Sequence, residues 1–150
     1  MENIMAEINP NHSTKYIIAS EPFYPCTAVD GRYKQACYLI QSSQALNSVN
    51  GDFSRVFSLC ANTEETFRAT CYQSLGRDAS GRNISNIQQT RDTCLLGQDF
   101  DAQSNCAIGA VKDITWYHHS DVQAKEFCDT LDPSLAPICL STAREYYKTF

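Results

Sequence analysis

The sequence CANTEETFRATC, residues 60–71, places ten residues between two cysteines, and a spacing of this kind occurs four times along the chain. The first cysteines of the pairs are 34 residues apart, at Cys26, Cys60, Cys94 and Cys128. The second cysteines follow after ten residues, or eleven in the third copy, at Cys37, Cys71, Cys106 and Cys139. A constant period of this length is typical of repeat proteins with two short helices per unit. It therefore predicts an all-α fold, a short α-solenoid of about four 34-residue helical hairpin units.

Apolar residues around the second cysteine of each unit follow the spacing of a packed helix. In three copies an apolar residue stands four positions before that cysteine: Tyr33, Phe67 and Leu135. Residues four apart share a helix face. After the cysteine, Tyr38-Leu39-Ile40 in the first copy and Tyr72 with Leu75 in the second continue the stripe. We expect these residues to face the core.

Polar turns divide each unit into a longer and a shorter helix. The predicted turns are residues 47–52, 80–83 and 118–121, and the predicted shorter helices are residues 53–60, 84–94 and 122–128. A last helix is predicted over residues 133–148, which gives seven helices after residue 26. Residues 1–25 contain prolines that forbid a continuous helix. The sequence thus predicts an irregular N-terminal segment, residues 1–25, and one cysteine-rich helical repeat domain, residues 26–150.

The charge of the chain limits its possible partners. Its 150 residues carry a net charge of −5, with a pI of about 5.1. Nucleic acid and anionic membrane surfaces bind basic proteins, so this charge argues against both. The apolar runs are too short to span a bilayer. We expect another protein or a peptide as the partner, with no nucleic acid and no membrane insertion.

The spacing of the eight cysteines indicates what they do. Structural zinc sites use close cysteine pairs, typically two to four residues apart, and this chain has no such pair. We therefore expect disulfides and an oxidising compartment: secreted, extracellular or periplasmic. Residues 1–7 are acidic and lack the apolar core of a signal peptide, so we interpret the chain as a mature form or an excised domain. A cytosolic protein with eight thiols is the alternative.

Two disulfide pairings respect the repeat. The short pairing joins Cys26–Cys37, Cys60–Cys71, Cys94–Cys106 and Cys128–Cys139. The long pairing joins Cys37–Cys60, Cys71–Cys94 and Cys106–Cys128, and it leaves Cys26 and Cys139 unpaired. We favour the short pairing because it uses every thiol, and the long pairing stays open as the alternative.

Two segments of the chain resemble cysteine-rich Sel-like repeats, which are relatives of the tetratricopeptide repeat with one disulfide per unit. The segments are residues 69–76, ATCYQSLG, and residues 124–129, AKEFCD. The shared features are a cysteine that closes the short helix, a cysteine in the next long helix, and the Leu75-Gly76 pair after it. The family's link between the cysteines is shorter and its repeat slightly longer. The resemblance covers about residues 26–150 and implies secretion and a protein-binding role.

Twin C-x9-C proteins are another known class with paired cysteines. They join two antiparallel helices through two disulfides, with a strict spacing of nine residues inside each helix. The intervals in this chain have ten or eleven residues, and one of them contains Pro133 and Pro137. The spacing therefore argues against this class.

The candidate binding residues are four consecutive side chains: Trp116, Tyr117, His118 and His119. Trp and Tyr dominate the hot spots of protein interfaces, and core packing is the alternative for both rings. Imidazole is a common metal ligand, but adjacent histidines on a helix point roughly 100° apart. We therefore interpret the histidines as polar residues of a turn, and we expect neither a metal nor a cofactor.

The sequence contains no motif of a serine hydrolase, a kinase, a dinucleotide-binding protein or a zinc protease, so we expect no enzymatic activity. The leading hypothesis is a secreted or surface-exposed, disulfide-linked module that binds proteins or acts as a scaffold. One alternative is a structural subunit that assembles end to end into a fibre or surface layer, for which the aromatic C-terminal residues are the reason: Tyr146, Tyr147 and Phe150. Another is a small-ligand or metal carrier that uses Trp116, His118 and His119.

Mass mapping of the oxidised chain distinguishes the two pairings. Digestion under non-reducing, acidic conditions suppresses thiolate exchange between disulfides. It should yield the four cross-linked peptides of the short pairing. A peptide that joins Cys71 to Cys94 would contradict this expectation.

Overall fold

Seven α-helices form the regular structure of Ile18 and residues 20–150, the part of the chain that the computed structural model describes. They are α1 (Gly31–Ser48), α2 (Phe53–Ala61), α3 (Glu65–Arg82), α4 (Ile87–Cys94), α5 (Phe100–His118), α6 (Val122–Asp129) and α7 (Ala136–Tyr147). These residues contain no strand, so the prediction of an all-α fold with seven helices is confirmed. Most of the predicted N-terminal segment, residues 1–17 and 19, lies outside the described residues. No described helix is long and apolar enough to cross a membrane.

Two helix boundaries around residues 80–87 differ from the prediction, and a side-chain cap explains the second of them. Helix α3 continues to Arg82, through the predicted turn at residues 80–83, and α4 begins only at Ile87. The side chain of Asn86 accepts a hydrogen bond of 3.1 Å from the backbone N–H of Gln89. Such a bond satisfies a free N–H group of the first helical turn and sets the helix start. The short helix is therefore three residues shorter than predicted.

Helix α7 begins at Ala136 rather than at Pro133. Asp132 Oδ1 accepts hydrogen bonds from the backbone N–H groups of Ser134 (2.9 Å) and Leu135 (3.2 Å). These bonds close a turn before the helix starts. Pro137 then lies in the first turn of α7, where its missing N–H would have no partner within the helix.

The long helices pack against one another in chain order. Helix α1 contacts α3, α3 contacts α5, and α5 contacts α7, with the most extensive interface between α3 and α5. Each short helix packs against the two long helices that flank it in the sequence. The core lies between the two sets of helices, and its largest buried side chains include Tyr38, Phe57, Leu75 and Phe127.

Residues before α1 cover one side of this core. Phe23 is buried, and its ring lies edge-on to the ring of Tyr38, with centroids 5.7 Å apart. The amide nitrogen of Gln41 donates a hydrogen bond of 2.9 Å to the carbonyl oxygen of Tyr24. Because Gln41 is itself buried, this bond supplies a partner that its amide group needs.

Four disulfides connect each long helix to the segment before it. They join Cys26–Cys37, Cys60–Cys71, Cys94–Cys106 and Cys128–Cys139, so the short pairing is confirmed. The Cα–Cα distances of 5.4–5.6 Å are usual for a disulfide, and all eight cysteines are buried. Three of the bonds run from the C-terminal end of a short helix to the N-terminal half of the next long one. The disulfides thus fix the start of each long helix against the segment that precedes it.

Two glycines bring the backbones of α3 and α5 into direct contact. A Cβ atom on Gly76 would lie 1.9 Å from the carbonyl oxygen of Cys106. A Cβ atom on Gly109 would lie 1.9 Å from the carbonyl oxygen of Gln73. No side chain fits at either distance, so the contact requires glycine on both helices.

The α1–α3 interface repeats the register of the α3–α5 interface. Gly109 is the third residue after the helix cysteine, and it meets the carbonyl group of Gln73, the second residue after the cysteine of α3. Ser74 is likewise the third residue after its cysteine. Its hydroxyl donates a hydrogen bond of 2.8 Å to the carbonyl oxygen of Leu39, the second residue after the cysteine of α1. Equivalent positions therefore meet in both interfaces.

Substitution of the crossing glycines should destabilise the fold strongly. In Gly76→Ala and Gly109→Ala the added methyl group collides with backbone, which can relax only if the helices move apart. We expect a loss of about 2 kcal/mol or more in the free energy of unfolding of the oxidised protein, measured by urea denaturation.

Gly31→Ala is the matched control, because a Cβ atom there would have no heavy atom within 4 Å. This variant should change the free energy of unfolding by less than about 1 kcal/mol. Equal stabilities for all three variants would mean that the helices do not cross at Gly76 and Gly109.

Candidate functional site

A groove with a volume of about 440 Å³ lies across the long helices. The residues that line it all belong to α1, α3, α5 or α7: Leu39, Gln73, Ser74, Arg77, Gly109, Lys112, Asp113, Trp116 and Tyr146. Neither the short helices nor the disulfides contribute to the lining. Because Gly109 is one of the crossing glycines, the backbone contact between α3 and α5 forms part of the groove wall.

Trp116 and Tyr117 are neighbours on α5 with different surroundings. Their side chains are similarly exposed, Trp116 at 58% and Tyr117 at 55%, so neither packs in the core. Trp116 lines the groove. Tyr117 points in another direction, as successive helical residues do, and its ring lies edge-on to that of His118 at 5.0 Å. Of the two predicted aromatic residues, only Trp116 is therefore placed to contact a ligand in the groove.

Leu39 is an apolar groove residue that the sequence pattern predicts to be buried. It follows the fully packed Tyr38, but its own side chain is 48% exposed. Adjacent residues on a helix point about 100° apart, so Leu39 faces away from the core that Tyr38 enters. The prediction that Leu39 belongs to the core stripe is wrong, and so is the same prediction for Tyr33, whose side chain is 49% exposed. With Trp116, Leu39 gives the groove two exposed apolar side chains on different helices.

A network of polar side chains joins α1 to α3 beside the groove. The hydroxyl groups of Ser42 and Ser43 donate hydrogen bonds to the carboxylate of Asp78. Arg77 Nη2 lies 3.7 Å from Asp78 Oδ1. Placing a carboxylate between helices removes water from its charge, which costs free energy. The two hydroxyl groups and the guanidinium offset this cost by interacting with the carboxylate.

Asp113 is the one carboxylate among the residues that line the groove. Burial raises its pKa above the ordinary value of 3.8. The Ser80 hydroxyl and the Arg77 guanidinium oppose part of this increase in pKa, and the negative charge of Asp78 adds to it. Arg77 thus lies near two carboxylates, and its charge is balanced within the protein.

Lys112 is the groove cation that has no carboxylate partner. Its ammonium group donates a hydrogen bond of 3.2 Å to the side-chain oxygen of Gln73, a neutral acceptor. Among Ile18 and residues 20–150, no Asp or Glu oxygen lies within 4.0 Å of Lys112. The other lysines of this region each pair with a carboxylate: Lys34 with Glu64, Lys125 with Asp121, and Lys148 with Glu145.

The two candidate histidines occupy different positions at the end of α5. His118 is the last helical residue and is half-buried. His119 has a left-handed conformation, with φ of 49°, and its ring lies edge-on to that of Phe150 at 5.9 Å. Within the described part of the chain, no cluster of three or more His, Cys, Asp or Glu side chains is arranged to hold a metal ion.

Comparison with known proteins gives no relative from which a function could be transferred. No protein-family model matches the chain, and no curated protein or solved structure matches it either. The geometry of the groove is therefore the basis on which a function can be proposed.

The sequence identifies one groove residue, Trp116, and misses the others. Lys112 precedes Trp116 by four residues, and this spacing on a predicted helix is a signal that the two side chains share a face. Tyr146 is expected from the sequence at an end-to-end contact, whereas the structure places it in the groove lining. Nothing in the sequence indicates that Leu39 is exposed, because its apolar neighbours have the spacing of a buried helix face.

The raised pKa of Asp113 predicts a pH-dependent stability. The folded chain binds a proton at Asp113 more tightly than the unfolded chain, so this carboxyl group lowers the free energy of unfolding as the pH rises from 3.8 through the raised pKa. Asp113→Asn removes this loss. The stability of the variant minus that of the wild type, from urea denaturation, should therefore increase between about pH 4 and pH 7.

Asp132→Asn provides the control for this measurement. A hydrogen bond from the Ser134 hydroxyl lowers the pKa of Asp132, so the carboxyl group titrates below 3.8. Its stability difference from the wild type should fall by no more than about 0.3 kcal/mol between pH 4 and pH 7, because only the unfolded chain is incompletely ionised at Asp132, and only near pH 4. A difference for Asp113→Asn that does not increase over this range would contradict a raised pKa at Asp113.

Proposed function

We propose that this protein is a disulfide-linked helical repeat module that binds a peptide segment of another protein in the groove of its long helices. One observation carries the proposal: four successive long helices contribute to a single groove, and its lining includes two exposed apolar side chains, Trp116 and Leu39. Exposed indole rings are frequent anchors of binding surfaces. An apolar hollow with a few polar groups is the usual form of a site for a small segment of chain.

The proposed repeat architecture is a short α-solenoid. Two facts support it: the cysteine period of 34 residues and the equivalent contacts in two successive interfaces. In such stacks each unit contacts only its neighbours, and the equivalent helices of all units line one continuous surface. The groove occupies that surface, which is why it contains residues from every long helix.

The proposed location is an oxidising compartment outside the cytosol, as for a secreted protein. Four buried disulfides support this location, because cytosolic reductants keep most thiols of cytosolic proteins reduced. The resemblance to cysteine-rich Sel-like repeats implies the same location.

The outer side of α7 does not favour end-to-end assembly. The fifth residue after the helix cysteine is Gly76 in α3, where the next long helix crosses. The same position in α7 is Arg144, which is exposed. A long charged side chain at this position keeps a further helix from approaching as closely as α5 approaches α3.

Peptide selection with matched aromatic variants tests the proposed function. Random peptides of about twelve residues, displayed on phage, are selected on the oxidised protein, and their affinities are measured by calorimetry. Trp116→Ala should weaken the selected peptides by about 1–3 kcal/mol, since truncation of an anchor usually costs this much. Tyr117→Ala should leave the affinities unchanged, because that ring is similarly exposed but does not line the groove.

The helical circular dichroism spectrum of both variants serves as the control for folding. The proposal is wrong if no peptide is selected. It is also wrong if the selected peptides bind both folded variants as tightly as the wild type.

A further inference from the structure

From the pairing of its charges, we infer that the groove takes an extended peptide segment with an acidic side chain two residues from an apolar one. This inference rests on the proposed function and adds the chemistry of the ligand. It is based on Lys112 and Trp116, which lie on the same helix and both line the groove.

Lys112 is the cation of the groove that the protein leaves without a carboxylate partner. Arg77 lies near the carboxylates of Asp78 and Asp113, so its charge is balanced internally. Lys112 is half-buried and has only the neutral amide oxygen of Gln73 as its acceptor. A carboxylate from a ligand would replace or join this acceptor and form a charge-assisted hydrogen bond, which is stronger than a neutral one.

Lys112 lines two hollows of the surface. Besides the groove, it borders a second hollow, whose lining includes Thr142, Tyr146 and Glu145. The Glu145 carboxylate is paired with Lys148 at 2.7 Å, and it lies more than 4.0 Å from Lys112. The chain as a whole is acidic, but charges separated by more than about 10 Å are largely screened at moderate salt. The preference is therefore set by charges near the groove, where Arg77 offsets part of the negative charge of Asp113 and the Lys112 ammonium group has no such partner.

The distance between the two side chains sets the spacing in the ligand. Lys112 and Trp116 are four residues apart on α5 and so share a face, separated by about 6 Å along the helix axis. In an extended peptide, residues i and i+2 point to the same side and are about 6.6 Å apart. A Glu or Asp opposite Lys112 therefore places an aromatic or aliphatic residue two positions away opposite Trp116.

The peptides selected on the oxidised protein provide the test. Those that depend on Trp116 should carry an acidic residue two positions from an apolar one more often than the unselected library. Lys112→Gln should weaken them by about tenfold, as expected for loss of a charge-assisted bond. Lys34→Gln makes the same change of net charge, but it lies outside the groove lining and should have no effect.

A second measurement leaves the protein unaltered. The acidic residue of a selected peptide is replaced by its amide, Glu→Gln or Asp→Asn. This peptide should bind the wild type about tenfold more weakly than its parent, and it should not distinguish the wild type from Lys112→Gln. Rising salt should weaken the parent peptide on the wild type more than on Lys112→Gln.

The outcomes separate this inference from the proposed function. If peptides depend on Trp116 but lack the acidic residue, or if their amide versions bind equally well, the groove binds peptides and the inferred chemistry is wrong. If the selected peptides bind Trp116→Ala as tightly as the wild type, the proposed function itself is wrong.

Discussion

The backbone contact between α3 and α5 is the constraint on which the groove depends. Helices normally keep side chains between their axes, but Gly76 and Gly109 let one backbone rest on the other. This approach brings the lining residues of both helices into one hollow, with Gly109 in its wall. With larger residues at these positions, the axes would be farther apart, and Gln73 on α3 would no longer reach Lys112 on α5.

The fold follows from the sequence more directly than the site does. Covalent pairing and helix spacing are properties of residues close in sequence, so the cysteine period predicts both the seven helices and the disulfides. The groove depends on which side of each helix meets a neighbour, and that is decided between distant residues. Leu39 illustrates the difference, because its apolar neighbours predict burial while its direction leaves it exposed. Lys112 differs from the other described lysines only because no carboxylate lies close to it in the fold, and the residues near it in sequence cannot show this.

The third residue after the helix cysteine has a different role in α3, α5 and α7. Between α1 and α3, the Ser74 hydroxyl spans the gap to a carbonyl group of the neighbouring helix. Between α3 and α5, Gly109 closes the gap altogether. In α7 the equivalent residue is Thr142, whose hydroxyl donates to the carbonyl oxygen of Ile138 in its own helix. The same position thus forms a hydrogen bond to the neighbouring helix in α3, a direct backbone contact in α5, and a hydrogen bond within its own helix in α7.

The placement of the disulfides determines whether the two fragments of a cleaved chain remain covalently joined. The links within residues 26–37, 60–71, 94–106 and 128–139 are closed loops, so a protease cut inside any of them leaves the two fragments covalently joined. The turns at residues 49–52, 83–86 and 119–121 lie outside every loop. A cut there produces fragments joined by packing alone, and each fragment keeps its own cross-link. Limited proteolysis at these turns would therefore divide each hairpin, and every piece after the first would keep a short helix linked by its disulfide to the long helix that follows it.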